Sequence, residues 1–197
     1  MNKLFSTLMN SALRKHFEEI IPLTDEESGY LDPFFKTKKL KKHQYLIQEN
    51  EPVTHLYFVV KGLLKASLTD KEGKEHIIQF AVENWWISDF QAFYNNVPSV
   101  TNIHCLEDVE VCGISKEDLE KMCSENHKLE HFFRIKNSFG YVALQQRILS
   151  LLTTHAKERF EQFSDQYPQL LQRIPKTIIA SYLGVSRETL SRIQKKV

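Results

Sequence analysis

Between about Phe34 and Ser115 the chain is built from short apolar runs at a period of two, and this restricts its fold more than any other feature. Tyr45-Leu-Ile, Leu56-Tyr-Phe-Val-Val60, Leu63-Leu-Lys-Ala-Ser-Leu68, His76-Ile-Ile-Gln-Phe-Ala-Val82 and Val109-Glu-Val-Cys-Gly-Ile114 each read as a strand. Turn signals separate them at Glu49-Asn-Glu-Pro52, Gly62 and Asp70-Lys-Glu-Gly73. Many short strands joined by tight turns predict a sandwich or jelly roll. The 197 residues leave room for one ordinary domain plus a small one, and 42% apolar residues suffice for a packed core.

Outside that region the period becomes helical. Ser11 to Ile21 reads as a short amphipathic helix, Thr24-Asp-Glu-Glu27 as a capping box opening another, and Ser115-Lys-Glu-Asp118 as a third helix start. A longer helix follows Ser124-Glu-Asn126. Its Phe132, Ile135, Phe139 and Val142 recur at a 3,4,3 spacing that lays them on one stripe. Gly140 marks a weak point, after which Leu144, Ile148, Leu151 and Leu152 continue as the first helix of the next domain until Phe163-Ser-Asp-Gln-Tyr-Pro168 breaks it.

The segment from Ile174 to Ile193 then reads as a helix-turn-helix. Ile179, Leu183, Val185, Leu190 and Ile193 recur where two short helices share a buried face, and the small Ala180 allows a close crossing. Gly184 supplies a turn that needs φ > 0, and Ser186 caps the second helix. That helix projects Arg187, Glu188, Thr189, Ser191 and Arg192 outward. Arginine can bond guanine O6 and N7 together, and a carboxylate can accept from cytosine N4–H, each good contact giving about 1–3 kcal/mol of discrimination. From Ile174 to Val197 stand Lys176, Arg187, Arg192, Lys195 and Lys196 against the single acid Glu188, in a chain whose net charge is only +1. The positive charge is therefore concentrated where phosphates would lie.

Several classes are disfavoured. Residues 1–10 are too short and interrupted for a signal peptide, and no run of about 18 apolar residues appears, so a cytoplasmic location without membrane contact is expected. Cys105, Cys112 and Cys123 lack C-x-x-C spacing and read as buried thiols rather than disulfides or metal ligands. His127-Lys-Leu-Glu130-His131 matches a zinc-protease pattern, but no third ligand accompanies it, and a solvated helix face is the better reading. No phosphate loop or nucleophile elbow appears, so no catalytic residue and no metal ligand is assigned and the chain is not read as an enzyme.

Two segments carry a family resemblance. Leu56-Tyr-Phe-Val-Val-Lys-Gly62, followed by Asp70-Lys-Glu-Gly-Lys-Glu75, resembles the β-roll of the Crp/Fnr transcription regulators, the cyclic-AMP receptor protein family. Val185-Ser-Arg-Glu-Thr-Leu-Ser-Arg192 is similar to that family's recognition helix. The resemblance implies an α+β chain with an N-terminal cyclic-nucleotide-binding-like β jelly roll (1–126), a long dimerisation helix (127–142) and a C-terminal helix-turn-helix domain (143–197). It implies that Arg187, Glu188 and Arg192 read bases, with Ser186, Thr189 and Ser191 beside them, while Lys176 and Thr177 touch the phosphate backbone.

Departures from the family qualify the transfer. Where cyclic-nucleotide-binding relatives carry Gly-Glu-Leu and, further on, an arginine followed by Ser or Thr, this chain has Ser88-Asp89-Phe90 and Ser99-Val100-Thr101. The arginine that would neutralise a phosphate is missing, which disfavours a cyclic nucleotide. Another small molecule in that pocket, flanked by Trp85, Trp86 and Tyr94, is the alternative, although those aromatics fit core packing better. The sequence runs to Val197, directly after the recognition helix, so a helix-turn-helix lacking the β-hairpin wing of relatives is expected. It also lacks the N-terminal cysteine cluster of oxygen-sensing relatives. The expected function is a homodimeric regulator that binds a near-palindromic operator and meets RNA polymerase, with an unidentified effector and no certain cofactor. The competing expectation is a ligand-binding or protein-interaction module whose DNA-binding motif is vestigial.

Overall fold

Burial drives the strands to form in pairs. In β3 (His55–Lys61) Leu56, Phe58 and Val59 are buried, and the register against its partner strand shifts between Val59 and Lys61. β3 pairs antiparallel with β8 (Val109–Ser115), and β8 in turn pairs with β1 (Lys36–Leu40). With β6 (Trp86–Ile87) these make a sheet of order β1-β8-β3-β6. A second sheet runs β2-β7-β4-β5, from β2 (Tyr45–Ile47), β7 (Asn102–Cys105), β4 (Leu64–Thr69) and β5 (Glu75–Ala81). The five strands read from the sequence are present; β1, β6 and β7 are additional.

This computed structural model describes residues 11–194. Residues 1–10 and the lysines Lys195 and Lys196 of the basic C-terminal segment lie outside the described residues. The chain divides into two compact units, one comprising the chain up to Ala66 together with Phe80–Lys136, the other Ser67–Gln79 together with the chain from Asn137 onward.

In the first unit both sheets feed one core that includes Leu46, Ile47, Phe58, Leu64, Ile87, Ile103, Val111 and Ile114. Gly62, at the end of β3, has φ +98°, and a Cβ there would lie 2.4 Å from the Asp108 carbonyl oxygen, so only glycine fits the turn. Helix α1 (11–18) presses Phe17 onto the core, and α2 (Asp25–Leu31) opens with the expected capping box. There the Glu27 N–H donates to Thr24 Oγ1 at 3.2 Å and the Thr24 N–H to Glu27 Oε2 at 2.9 Å. Helix α3 (Phe90–Asn95) follows β6, and α4 (Lys116–Glu125) follows β8. At α4 only half of a box forms: the Asp118 N–H donates to Ser115 Oγ, while the Asp118 carboxylate takes the Ser115 hydroxyl rather than a backbone N–H.

Helix α5 (His127–Thr153) runs unbroken through Gly140 for 27 residues, about 40 Å at the helical rise. Its first turns bury Leu129, Phe132 and Phe133 in the first unit. The expected stripe thereby loses a member, because Phe132 is enclosed, with the Phe17 ring 4.4 Å and the His16 ring 5.4 Å away. Phe139 and Val142 stay exposed.

The second unit continues with α6 (Ala156–Gln166), α7 (Pro168–Arg173), α8 (Lys176–Tyr182) and α9 (Arg187–Gln194). The chain first breaks at Thr154 and His155, earlier than the sequence suggested, and most of the supposed breaker, Phe163 to Gln166, stays helical. Only Tyr167 interrupts there, before the proline that opens α7. Phe160, Phe163, Leu170, Ile174, Ile179, Ala180, Leu183 and Leu190 form this unit's buried set.

Candidate nucleic-acid interface and effector segment

The turn between α8 and α9 is closed from both sides. Val185 N–H donates to the Ala180 carbonyl at 3.0 Å and Gly184 N–H to the Ser181 carbonyl at 3.1 Å, the bond pair of a Schellman motif, with Gly184 at φ +68°. One residue on, the Thr189 N–H donates to Ser186 Oγ at 3.1 Å, the N-cap of α9. Ile179, Ala180, Leu183 and Leu190 are buried on the shared face; Val185 and Ile193 are half-buried.

This geometry leaves Ser186, Arg187, Glu188, Ser191 and Arg192 exposed together on α9. Thr189 is different: it is half-buried, its hydroxyl oxygen accepts from Ser186 Oγ at 3.1 Å, and Arg192 Nη2 lies 3.4 Å away. It holds its neighbours rather than standing clear of them. The Glu188 carboxyl is kept below its ordinary value by its own backbone N–H and the Ser186 hydroxyl, so it stays an acceptor at neutral pH. Lys176 and Thr177 are exposed in the first turn of α8.

The effector segment looks inward. Asp89 caps α3 by accepting from the Ala92 N–H at 3.1 Å through Oδ1. Its Oδ2 faces three donors: the Ser99 hydroxyl at 2.9 Å, the Val100 N–H at 3.1 Å and the Thr101 hydroxyl at 3.1 Å. Burial alone would raise this carboxyl, but the Ala92, Ser99, Val100 and Thr101 bonds outweigh it and hold it below its ordinary value. Ser88, Asp89, Ser99 and Thr101 are buried and satisfied within the protein, Ser88 by donating to the His55 carbonyl at 2.9 Å. Phe90 and Val100 are the exposed members, and Tyr94 stacks on Phe90 at 6.3 Å. Trp86 belongs to the core, its indole N–H donating to His16 Nε2 at 3.1 Å and its ring 5.3 Å from Phe58.

His127 is fully exposed, with Nδ1 3.5 Å from Glu130, while His131 Nδ1 lies 2.9 Å from the Arg134 guanidinium. Among the described residues no group of three or more His, Cys, Asp or Glu side chains could hold a metal ion. No described helix is long and apolar enough to cross a membrane. Sequence reasoning passed over Arg147, the lone charge between Val142 and Leu152, whose isolation in an apolar run was the available signal.

Two four-stranded sheets, one long helix and a capped two-helix motif with a charged outer stripe define a β-roll chain carrying a helix-turn-helix. The family profile described as "Cyclic nucleotide-binding domain" matches residues 37–126. The chain is 25% identical over 198 residues to the "cAMP-activated global transcriptional regulator CRP" of Haemophilus influenzae, covering 90% of this chain and 87% of that protein. It is 27% identical over 128 residues to the "Anaerobic regulatory protein" of Bacillus subtilis, a match spanning 65% of this chain but only 53% of that protein. Among solved structures, FixK2 from Bradyrhizobium japonicum superposes with a TM-score of 0.72 at 18% identity, over 82% of this chain and 83% of the other. Residues 37–126 thus carry a cyclic nucleotide-binding domain, and over most of its length the chain is similar to transcription regulators of the Crp/Fnr type.

Proposed function

We propose that this regulator acts as a homodimer that binds a near-palindromic operator, with α9 of each copy in the major groove, and meets RNA polymerase there. The observation that carries this reading is the joint exposure of Arg187, Glu188 and Arg192 on a helix whose opposite side is anchored by the buried Leu190. Arg187 and Arg192 donate to guanine edges, Glu188 accepts from cytosine, and Lys176 and Thr177 hold the phosphate backbone.

Pairing of copies is supported by α5. Phe139, Val142, Leu149 and Leu152 succeed one another at steps of three and seven residues and are 45–76% exposed, an apolar face of the kind that marks an association surface. A two-fold mate would set two recognition helices about 34 Å apart, one helical turn of DNA. The effector is a small molecule without a phosphate. Asp89 already places an anion among the donors of the 99–101 turn, and Phe90, Tyr94 and Val100 are the groups a ligand can reach.

Selection from random-sequence duplexes, followed by a salt titration of the selected duplex, tests the reading. A steep fall of log K with log salt and a specific excess over random duplex are expected. Arg192→Ala should relax sequence preference at about 1–3 kcal/mol per base contact, whereas Lys176→Ala should weaken all duplexes about equally. A uniform loss from both changes would refute this division of roles.

A further inference from the structure

The second unit contains two pieces of chain distant in sequence, Ser67–Gln79 and the helices from Asn137 onward. The first piece is the turn joining β4 to β5 together with the adjoining strand residues. Asp70 organises it: Oδ1 accepts from the Glu72 N–H at 3.0 Å and the Lys74 N–H at 2.9 Å, while Oδ2 lies 2.7 Å from His76 Nε2. Gly73 supplies the φ of +80° that the turn needs. This hairpin is therefore a stiff arm rather than a loose loop.

Two side chains tie that arm to the DNA-reading motif. Arg147 on α5 donates through Nη2 to the Ile77 carbonyl at 2.9 Å and to the Tyr182 carbonyl at 2.9 Å, and its guanidinium lies 3.5 Å from the centroid of the Tyr182 ring. Ser181 Oγ donates to the Glu75 carbonyl at 2.8 Å. Glu75 and Ile77 are two apart on β5, so their carbonyls point to the same edge of the strand. β5 ends its sheet, and the motif covers an edge that would otherwise be open.

Edge protection alone would be a sufficient structural reason for one such bond. Three observations go further. The Arg147 guanidinium spans two carbonyls from different elements while stacking on an aromatic ring, a combination a lysine cannot reproduce. Tyr182 and Ser181 end α8, and the Ser181 carbonyl accepts the Gly184 bond that closes the turn into α9. The exposed stripe of α9 is left uncovered, so the contact sets the motif's orientation without hiding its reading groups.

We infer that Arg147 is a positioning residue that couples the β4–β5 hairpin to the helix-turn-helix, so that a displacement of the hairpin is delivered to α8 and through the Gly184 turn to α9. β4 and β5 run out of the first unit at Ala66 and return at Phe80, so a change in their sheet reaches this contact along the chain itself. The inference rests on the DNA-binding reading only for its consequence; the contact can be tested without DNA.

The experiment uses the full chain in three forms: wild type, Arg147→Met and the milder Ser181→Ala, each with and without Asp70→Ala to loosen the arm. Hydrogen exchange without DNA should show hairpin amides near 73–77 and α8 amides near 178–184 losing protection together in Arg147→Met, with β8 unchanged. Ser181→Ala should give a smaller loss at the same places. Faster exchange in the hairpin alone, with α8 at wild-type rates, would overturn the coupling. On the duplex selected by wild type, Asp70→Ala should weaken binding by about tenfold, within the usual range of intersite coupling. It should add nothing further in the Arg147→Met background. Additive losses would overturn the proposal. Should Arg147→Met not fold, the same cycle with Ser181→Ala gives the decision. Should wild type select no duplex, the operator reading fails while the exchange result still decides the coupling.

Discussion

Asp89→Asn is the sharpest test of how the 88–101 segment is held. In the wild-type protein one carboxylate satisfies the Ala92 N–H, the Val100 N–H and the Ser99 and Thr101 hydroxyls, all within 3.1 Å. An asparagine oxygen can keep the Ala92 bond, and the two hydroxyls can rotate to accept from the new NH2 group. The Val100 N–H cannot. One orphaned backbone donor plus the lost ionic character of the remaining bonds predicts a loss of about 2–3 kcal/mol, and Asp89→Ala, which orphans the Ala92 and Val100 N–H groups and the Thr101 hydroxyl while Ser99 keeps the Thr101 carbonyl as acceptor, about 4 kcal/mol or more. Trp85 and Trp86 are the chain's two tryptophans and both lie in the first unit, so their fluorescence in a urea titration reports that unit. At about 1–3 kcal/mol per molar urea, the Asn variant should unfold roughly 1–2 M earlier. The carboxyl lies below its ordinary value near 3.8, so its contribution is fully present above that pH and is lost as pH falls through the lower folded value. The gap between wild type and Asn should therefore be constant at neutral pH and close in acid. An unchanged midpoint, or a gap that persists through that acid window, would refute the argument.

Other predictions follow from single contacts. Burial, assisted by the Lys136 charge and opposed by Glu19, pushes His16 from 6.5 down to about 4, so folded His16 is neutral while the unfolded chain takes up its proton first. Stability should fall by up to about 3 kcal/mol as pH drops from about 6.5 towards about 4, and His16→Gln should flatten that slope in the same fluorescence assay. Ser186→Ala removes the α9 cap and should cost about 1 kcal/mol, read as weaker duplex binding and faster exchange of the α9 amides. Phe139→Lys removes an exposed apolar group from both copies of a pair. It should cost about 3 kcal/mol, roughly a hundredfold in the dimer dissociation constant by sedimentation, and an unchanged constant would place the interface elsewhere.

What was legible in the sequence was whatever depends on a residue's own conformational chemistry. β3, β4, β5 and β8 carry apolar runs bounded by turn residues, and each forms close to where it was expected. Gly184 and Ser186 are a left-handed turn residue and a cap in the structure as in the reading. The unread strands owe their existence to neighbours. β1 is Lys-Thr-Lys-Lys-Leu, an edge strand that pairs with β8 residue by residue from Lys36 opposite Gly113 to Leu40 opposite Val109. Lysine-rich composition suits an edge but does not announce one. Phe132 and Phe139 share a periodicity, yet only α1 decides which of them is enclosed. Asp89 was recognisable as a carboxylate of interest, while its partners at 99–101 become visible only when the chain folds back. Arg147 was least legible, because it binds two backbone carbonyls, and a carbonyl leaves no trace in residue identity.

The three thiols sit in the first unit, and burial pushes Cys105 up to about 11, Cys112 to about 12 and Cys123 to about 11. At neutral pH the native fold holds them as inert hydrocarbon-like groups, with almost none of the thiolate that alkylating reagents or peroxide consume. Cys105 and Cys112 become reactive only when their surroundings open, whereas Cys123, expected from the sequence to be buried, is only half-buried. The chain thus carries three clocks, set at different depths of the same fold, whose labelling times record how often each depth breathes.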